Sequence, residues 1–112
     1  MVNGYHSDMT RTICIGKADD EMKKLYNTVL KAQLAAIDAI TEGAKNADMD
    51  KVARDVIDNA GYKGYFSHSL GHGVGLEIHE QPGLHARMGD ATLKAGQIVT
   101  AEPGIYIEGK YG

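Results

Sequence analysis

Gly71-His72-Gly73-Val74-Gly75-Leu76-Glu77-Ile78-His79-Glu80 is the stretch whose reading decides the fold. Its first half packs three glycines into five residues, which makes regular structure costly and predicts a loop or turn. Its second half, Leu76 to Glu80, alternates apolar and polar and predicts a short strand. On that reading His72 stands at the mouth of a turn and His79 on the strand leading away. Imidazole binds metals and exchanges protons near neutral pH. The same spacing is open to a plainer reading, a Gly-rich loop with two surface histidines. It does not match His-Glu-x-x-His, which needs both histidines on one helical face.

Immediately upstream, Gly61 to Gly75 reads as loop and carries Tyr62, Tyr65, Phe66, His68 and Ser69. Aromatics among Gly and His suit the wall of a ligand pocket or a plug at the core edge. A helical turn there would aim His68 and His72 the same way. Downstream, Gln81 to Gly96 reads as irregular, with Pro82, Gly83, Gly89 and Gly96. Gln97 to Ile107 is strand-like on both sides of Pro103-Gly104. Proline inside a strand implies an edge or a bulge, and bulges re-aim side chains at active sites. Pro103 holds Glu102 extended, and a carboxylate in this apolar run reads as a ligand or a buried partner. Glu108 to Gly112 reads as a hairpin turn.

Farther out, Tyr5 to Ile15 alternates and is rich in Thr, Ile and Tyr, which predicts a strand with Asp8 at its middle. Carboxylates avoid that position unless solvated or paired. Asp19, Asp20 and Glu21 open a helix whose apolar positions, Met22, Leu25, Tyr26, Val29, Leu30, Ala36, Ile37 and Ile40, recur at helical spacing. Gly43 is its expected cap. Asp48 is the expected N-cap of a second helix through Val52, Val56, Ile57 and Ala60, which Gly61 stops.

The expected fold is therefore α+β. An antiparallel, curved sheet of Tyr5–Ile15, Leu76–Glu80 and Gln97–Ile107 is covered on one face by two one-sided helices. Asp8, His72 and Glu102 point into the open, concave face. The 112 residues suffice for one domain with a modest core. A net charge of −3 with dispersed Lys and Arg excludes a nucleic-acid footprint. No apolar run nears the roughly 20 residues that span a bilayer. Cys14 is the single cysteine, so no internal disulfide forms; with no signal pattern at the N-terminus, the expected location is cytoplasmic.

Three segments thus offer metal-type ligands, and mixed O/N ligation suits Mn, Fe, Co or Zn. The stretches Gly4 to Thr12, Gly71 to Pro82 and Ala101 to Tyr106, in this order and with these separations, resemble the pita-bread metallopeptidases: Xaa-Pro aminopeptidases, prolidases and methionine aminopeptidases. Ser7-Asp8-Met9-Thr10-Arg11-Thr12 and Glu102-Pro103-Gly104-Ile105-Tyr106 are more similar to the Xaa-Pro branch. The resemblance implies a two-metal centre, Mn or Co by expectation, held by two Asp, one His and two Glu. Asp8, His72 and Glu102 match three of these ligands. His79 matches the histidine that hydrogen-bonds substrate, and His68 a further substrate-side histidine. The implied activity is hydrolysis of the Xaa-Pro bond in short proline-containing peptides. The other two ligands are expected on strands outside residues 1–112, so the chain reads as a truncated catalytic domain that binds a single metal. Exposed sheet edges would favour homo-oligomers. The alternative is a non-catalytic metal- or peptide-binding fragment of the same fold.

Overall fold

Asp19 opens the helical layer. Its backbone is extended and its carboxylate accepts the Met22 N–H at 2.7 Å, starting helix α1, Asp20–Ala39. The helix ends at Ile40, whose N–H turns back to the Ala36 and Ile37 carbonyls. Gly43 is not the cap. It lies in the following turn at φ +83°, where its N–H bonds the Leu93 carbonyl. Helix α2, Asn46–Ile57, begins before the expected cap, with Asp48 inside its first turn. The cause is tertiary. The Asn46 N–H bonds the Ala91 carbonyl at 3.0 Å, and its buried amide donates to the Gly83 carbonyl at 2.9 Å. α2 runs on into one π-helical turn, Asp58–Tyr62, broken where expected by Gly61 at φ +93°.

The computed structural model describes residues 1–112. α2 is its middle element, touching α1 on one side and the sheet on the other. Ala32, Ala36, Ala53 and Ile57 are wholly buried at the helix contact, where small side chains let α1 and α2 close up. Leu25, Met49, Phe66, Leu70, Leu84, Leu93 and Ile105 complete the core. Burying a side chain such as Ile57 or Leu70 contributes roughly 1.5–3 kcal/mol. The apolar stripe of α1 divides. Leu25, Ala32 and Ala36 face the core, whereas Tyr26, Leu30 and Ile37, expected inside, are exposed beside Leu34. α1 therefore carries apolar residues on two faces, and only one meets α2.

The α+β class holds, but the strands lie elsewhere. β1 is Gly71–Gly73 and pairs antiparallel with β2, Glu80–Leu84. The glycines around His72 thus belong to a strand, not a turn. A Cβ at Gly71 would overlap the Thr100 carbonyl, and one at Gly73 the Gln81 carbonyl. Glycine is what lets β1 fit between two neighbouring chains. Leu76 to His79 form bends instead of a strand, because the Glu80 carboxylate folds back onto the Glu77 N–H at 3.1 Å. The stretch expected to be irregular supplies β2 and a 3₁₀ turn, Ala86–Met88.

Gln97 to Ile107 runs extended but forms only isolated bridges, at Val99 and Ile107. It still flanks β1: Glu102 N–H bonds Leu70 O at 2.8 Å, Thr100 N–H bonds His72 O at 2.8 Å, and Val74 N–H bonds Ile98 O at 3.2 Å. The ladder is incomplete because side chains take the return donors. His72 N–H goes to the Thr100 hydroxyl and Leu70 N–H to the Asp50 carboxylate.

Tyr5 to Ile15 is not a strand either. A Val2–Tyr5 bridge and one bond from His6 N–H to Gly75 O (2.8 Å) are its backbone pairings, and Ser7 to Ile15 are exposed. Alternation makes a strand only where another chain lies alongside to pair with it. No helix is long and apolar enough to cross a membrane.

Candidate metal centre

His72, at the centre of β1, is the hub. Its Nδ1 lies 2.9 Å from the Gly73 carbonyl. A carbonyl only accepts, so Nδ1 carries the hydrogen and Nε2 faces outward. Nε2 meets Glu102 Oε1 at 3.0 Å and Asp8 Oδ2 at 3.6 Å. The His79 ring stands edge-on to His72, with centroids 4.2 Å apart. One donor atom each from Asp8, His72 and His79 lie within 4.8 Å of one another. Asp8 from the N-terminal arm and His79 from the bend before β2 thus gather with His72 on β1, and Glu102 from the extended segment after Gln97 reaches His72 from beside that group.

These donors are two carboxylates and two imidazoles. Oxygen and nitrogen lone pairs crowded together repel unless a proton or a metal ion sits among them, and this mixture of donors suits Mn, Fe, Co or Zn. The residues present therefore fit a divalent ion. His72 is mostly buried, whereas Asp8 and His79 are exposed, so the cluster opens to solvent on the arm side.

His68 does not join the cluster, and no helical turn aligns it with His72. Its Nδ1 donates to the Ser69 carbonyl at 2.7 Å, and its Nε2 accepts from the Tyr106 hydroxyl at 2.7 Å. Burial, helped by the Glu102 charge, pushes the Tyr106 phenol above its ordinary pKa.

Sequence reading missed the groups that hold the loop leading into β1. Arg54 pairs with buried Asp50 through two bonds, at 2.9 and 3.1 Å. It also donates to the Phe66 and His68 carbonyls, at 2.7 and 2.9 Å, and lies over the Phe66 ring. The Asp50 bond raises the Arg54 pKa further. Asp50 and Arg54 stand four apart on a helix, which is legible as an ion pair. Nothing local indicates that Asp50 is buried and that the pair clasps Phe66 to Leu70. Thr100 and Tyr106 were likewise unmarked as site residues.

An α+β scaffold bringing Asp and Glu from separate segments to a strand His is an arrangement suited to a divalent metal. Residues 1–112 match metallopeptidase family M24 throughout, and the chain belongs to that family. The Xaa-Pro dipeptidase of Pyrococcus furiosus is 46% identical over 107 residues, covering 96% of this chain and 30% of that protein. The solved structure of the Xaa-Pro dipeptidase from Bacillus anthracis superposes with a TM-score of 0.91 at 52% identity, covering 95% of this chain and 30% of that one. For a methionine aminopeptidase from Rickettsia prowazekii the TM-score is 0.79 at 27% identity, covering 91% of this chain and 42% of that one. The chain thus spans about 30% of the length of the curated dipeptidase it matches. The fold is the one those dipeptidases share, and the expected resemblance to the Xaa-Pro branch holds.

Proposed function

We propose that residues 1–112 form part of the catalytic domain of a peptidase that cleaves the Xaa-Pro bond of short peptides. The observation that carries this reading is the approach of Asp8 and Glu102 to His72 Nε2, with the His79 ring beside them, in a chain of a metallopeptidase family. The higher identity to proteins named Xaa-Pro dipeptidase than to the methionine aminopeptidase supports the substrate class.

Asp8, His72 and Glu102 would hold one divalent ion, Mn or Co by family resemblance. Bound there, it supplies Lewis-acid polarisation of the scissile carbonyl and activates water. The chain's own groups do the rest. Glu102 keeps Oε2 to receive a proton while Oε1 is held by Thr100. His79, exposed beside His72, donates to the carbonyl oxygen as charge develops on it. His68 and Tyr106 face the substrate side. The free, exposed thiol of Cys14 fits a reducing, cytoplasmic setting. The exposed segment Ser7 to Ile15, with no strand paired to it, is where copies would associate.

A second reading is binding of metal or peptide without turnover, with Asp8, His72 and Glu102 serving one ion. Calorimetric titration of the metal-free chain with Mn²⁺, beside Asp8→Ala and His72→Ala, tests both readings. A stoichiometry near one, lost in both variants, supports the centre. Hydrolysis of a Xaa-Pro dipeptide by the loaded chain then selects the peptidase and excludes the binding module. No Mn²⁺ binding at all removes both.

A further inference from the structure

In a hydrogen-bonded antiparallel pair, facing residues exchange two backbone bonds. His72 and Thr100 exchange only one, from Thr100 N–H to His72 O at 2.8 Å. The return bond from His72 N–H ends on the Thr100 hydroxyl at 3.0 Å. That hydroxyl has one proton to give. Its two acceptors are Glu102 Oε1 at 2.7 Å and His72 O at 3.4 Å. The shorter, charge-assisted bond to the carboxylate takes it.

We propose that Thr100 is a positioning residue for the metal centre: its hydroxyl takes the His72 N–H and aims the Glu102 carboxylate at His72 Nε2. The inference rests on the metal-centre reading above. One hydroxyl therefore links the backbone of one ligand to the side chain of another. It leaves Glu102 Oε2 and the second lone pair of Oε1 for other partners. The Thr100 carbonyl, which would ordinarily receive the His72 N–H, instead lies against Gly71. Groups that orient ligands in this way typically change metal affinity roughly 10–100-fold when removed.

Two substitutions separate the hydroxyl from the bulk of the side chain. Thr100→Val keeps the shape and removes both bonds; Thr100→Ser keeps the hydroxyl and removes the methyl. Titrated with Mn²⁺, Thr100→Val should bind about tenfold more weakly than the unmodified chain, and Thr100→Ser within about twofold of it. Equal affinity in Thr100→Val, or a loss in Thr100→Ser as large as in Thr100→Val, overturns the proposal, because packing and not the hydroxyl would then matter.

Two readouts on the metal-free chain decide the matter without bound Mn²⁺. Thr100→Val should speed amide exchange at His72 and average the Glu102 χ1 coupling, and Thr100→Ser should do neither. If the unmodified chain takes no Mn²⁺, the metal-centre reading falls, and these two readouts alone support or overturn the link between His72 and Glu102.

Discussion

His72 and Asp8 reach the same point from opposite kinds of ground. His72 sits on β1, between two neighbouring segments, with the loop before it clasped by Arg54, itself paired with the buried Asp50 carboxylate. Asp8 rides on an exposed arm held at His6 by one backbone bond to Gly75. The difference teaches that half of the centre is built by the core and half is brought to it. Disturbing the first half should cost stability. Disturbing the second should cost binding alone.

The comparison breaks most visibly at Asp50. Asp50→Ala removes the carboxylate partner of Arg54 and leaves the buried Leu70 N–H without its acceptor, at an expected cost of about 2–3 kcal/mol. Urea unfolding followed by circular dichroism measures it. A cost no larger than that of Asp8→Ala would erase the distinction. Gly71→Ala comes next, because its Cβ must push the Thr100 backbone away from β1. The expected loss is roughly 1–3 kcal/mol in the same assay, with weakened Mn²⁺ binding alongside. Asp8→Ala sharpens the contrast from the other side. Its unfolding free energy should stay within about 0.5 kcal/mol of the unmodified chain while Mn²⁺ binding is lost.

The smallest effect lies at the boundary between the two regions. The Met22 N–H, aided by the Tyr111 hydroxyl, holds the Asp19 carboxyl below its ordinary 3.8. A depressed folded pKa adds stability that is complete above the unfolded value and is lost as pH falls through the folded one. Asp19→Asn keeps a capping side chain and removes that titration. Its urea midpoint should lie slightly below that of the unmodified chain at neutral pH, and the gap should close in acid.

What was legible in the sequence follows the range of the interactions that decide it. α1 starts among the acidic residues expected to open it, because Asp19 bonds a residue three positions away. α2 starts ahead of its expected cap because Asn46 bonds Gly83 and Ala91, which no local pattern reveals. The strands were the least readable. Glycines flanking His72 look like a turn until the chains pressing on both sides of β1 are known. The alternating run from Tyr5 has no neighbour to make it a strand. Of the residues picked out by order and flanking sequence, Asp8, His79 and Glu102 lie around His72 in the fold. His68, also picked out, pairs with Tyr106 instead. Thr100 and the Asp50–Arg54 pair act through backbone groups, and backbone demand leaves almost no mark on residue choice.

The His6–Gly75 bond has a consequence in time as well as in space. It joins positions 6 and 75 with no nearer pairing between the arm and β1 to help it form. The entropic cost of closing so long a loop rises only slowly with its length, but nothing local offsets it. Contacts this distant in sequence form late. The helices and β1 would then assemble first, and Asp8 would arrive last. A cation shared by Asp8 and His72 would close that same loop, so completing the fold and capturing the ion would be one kinetic event.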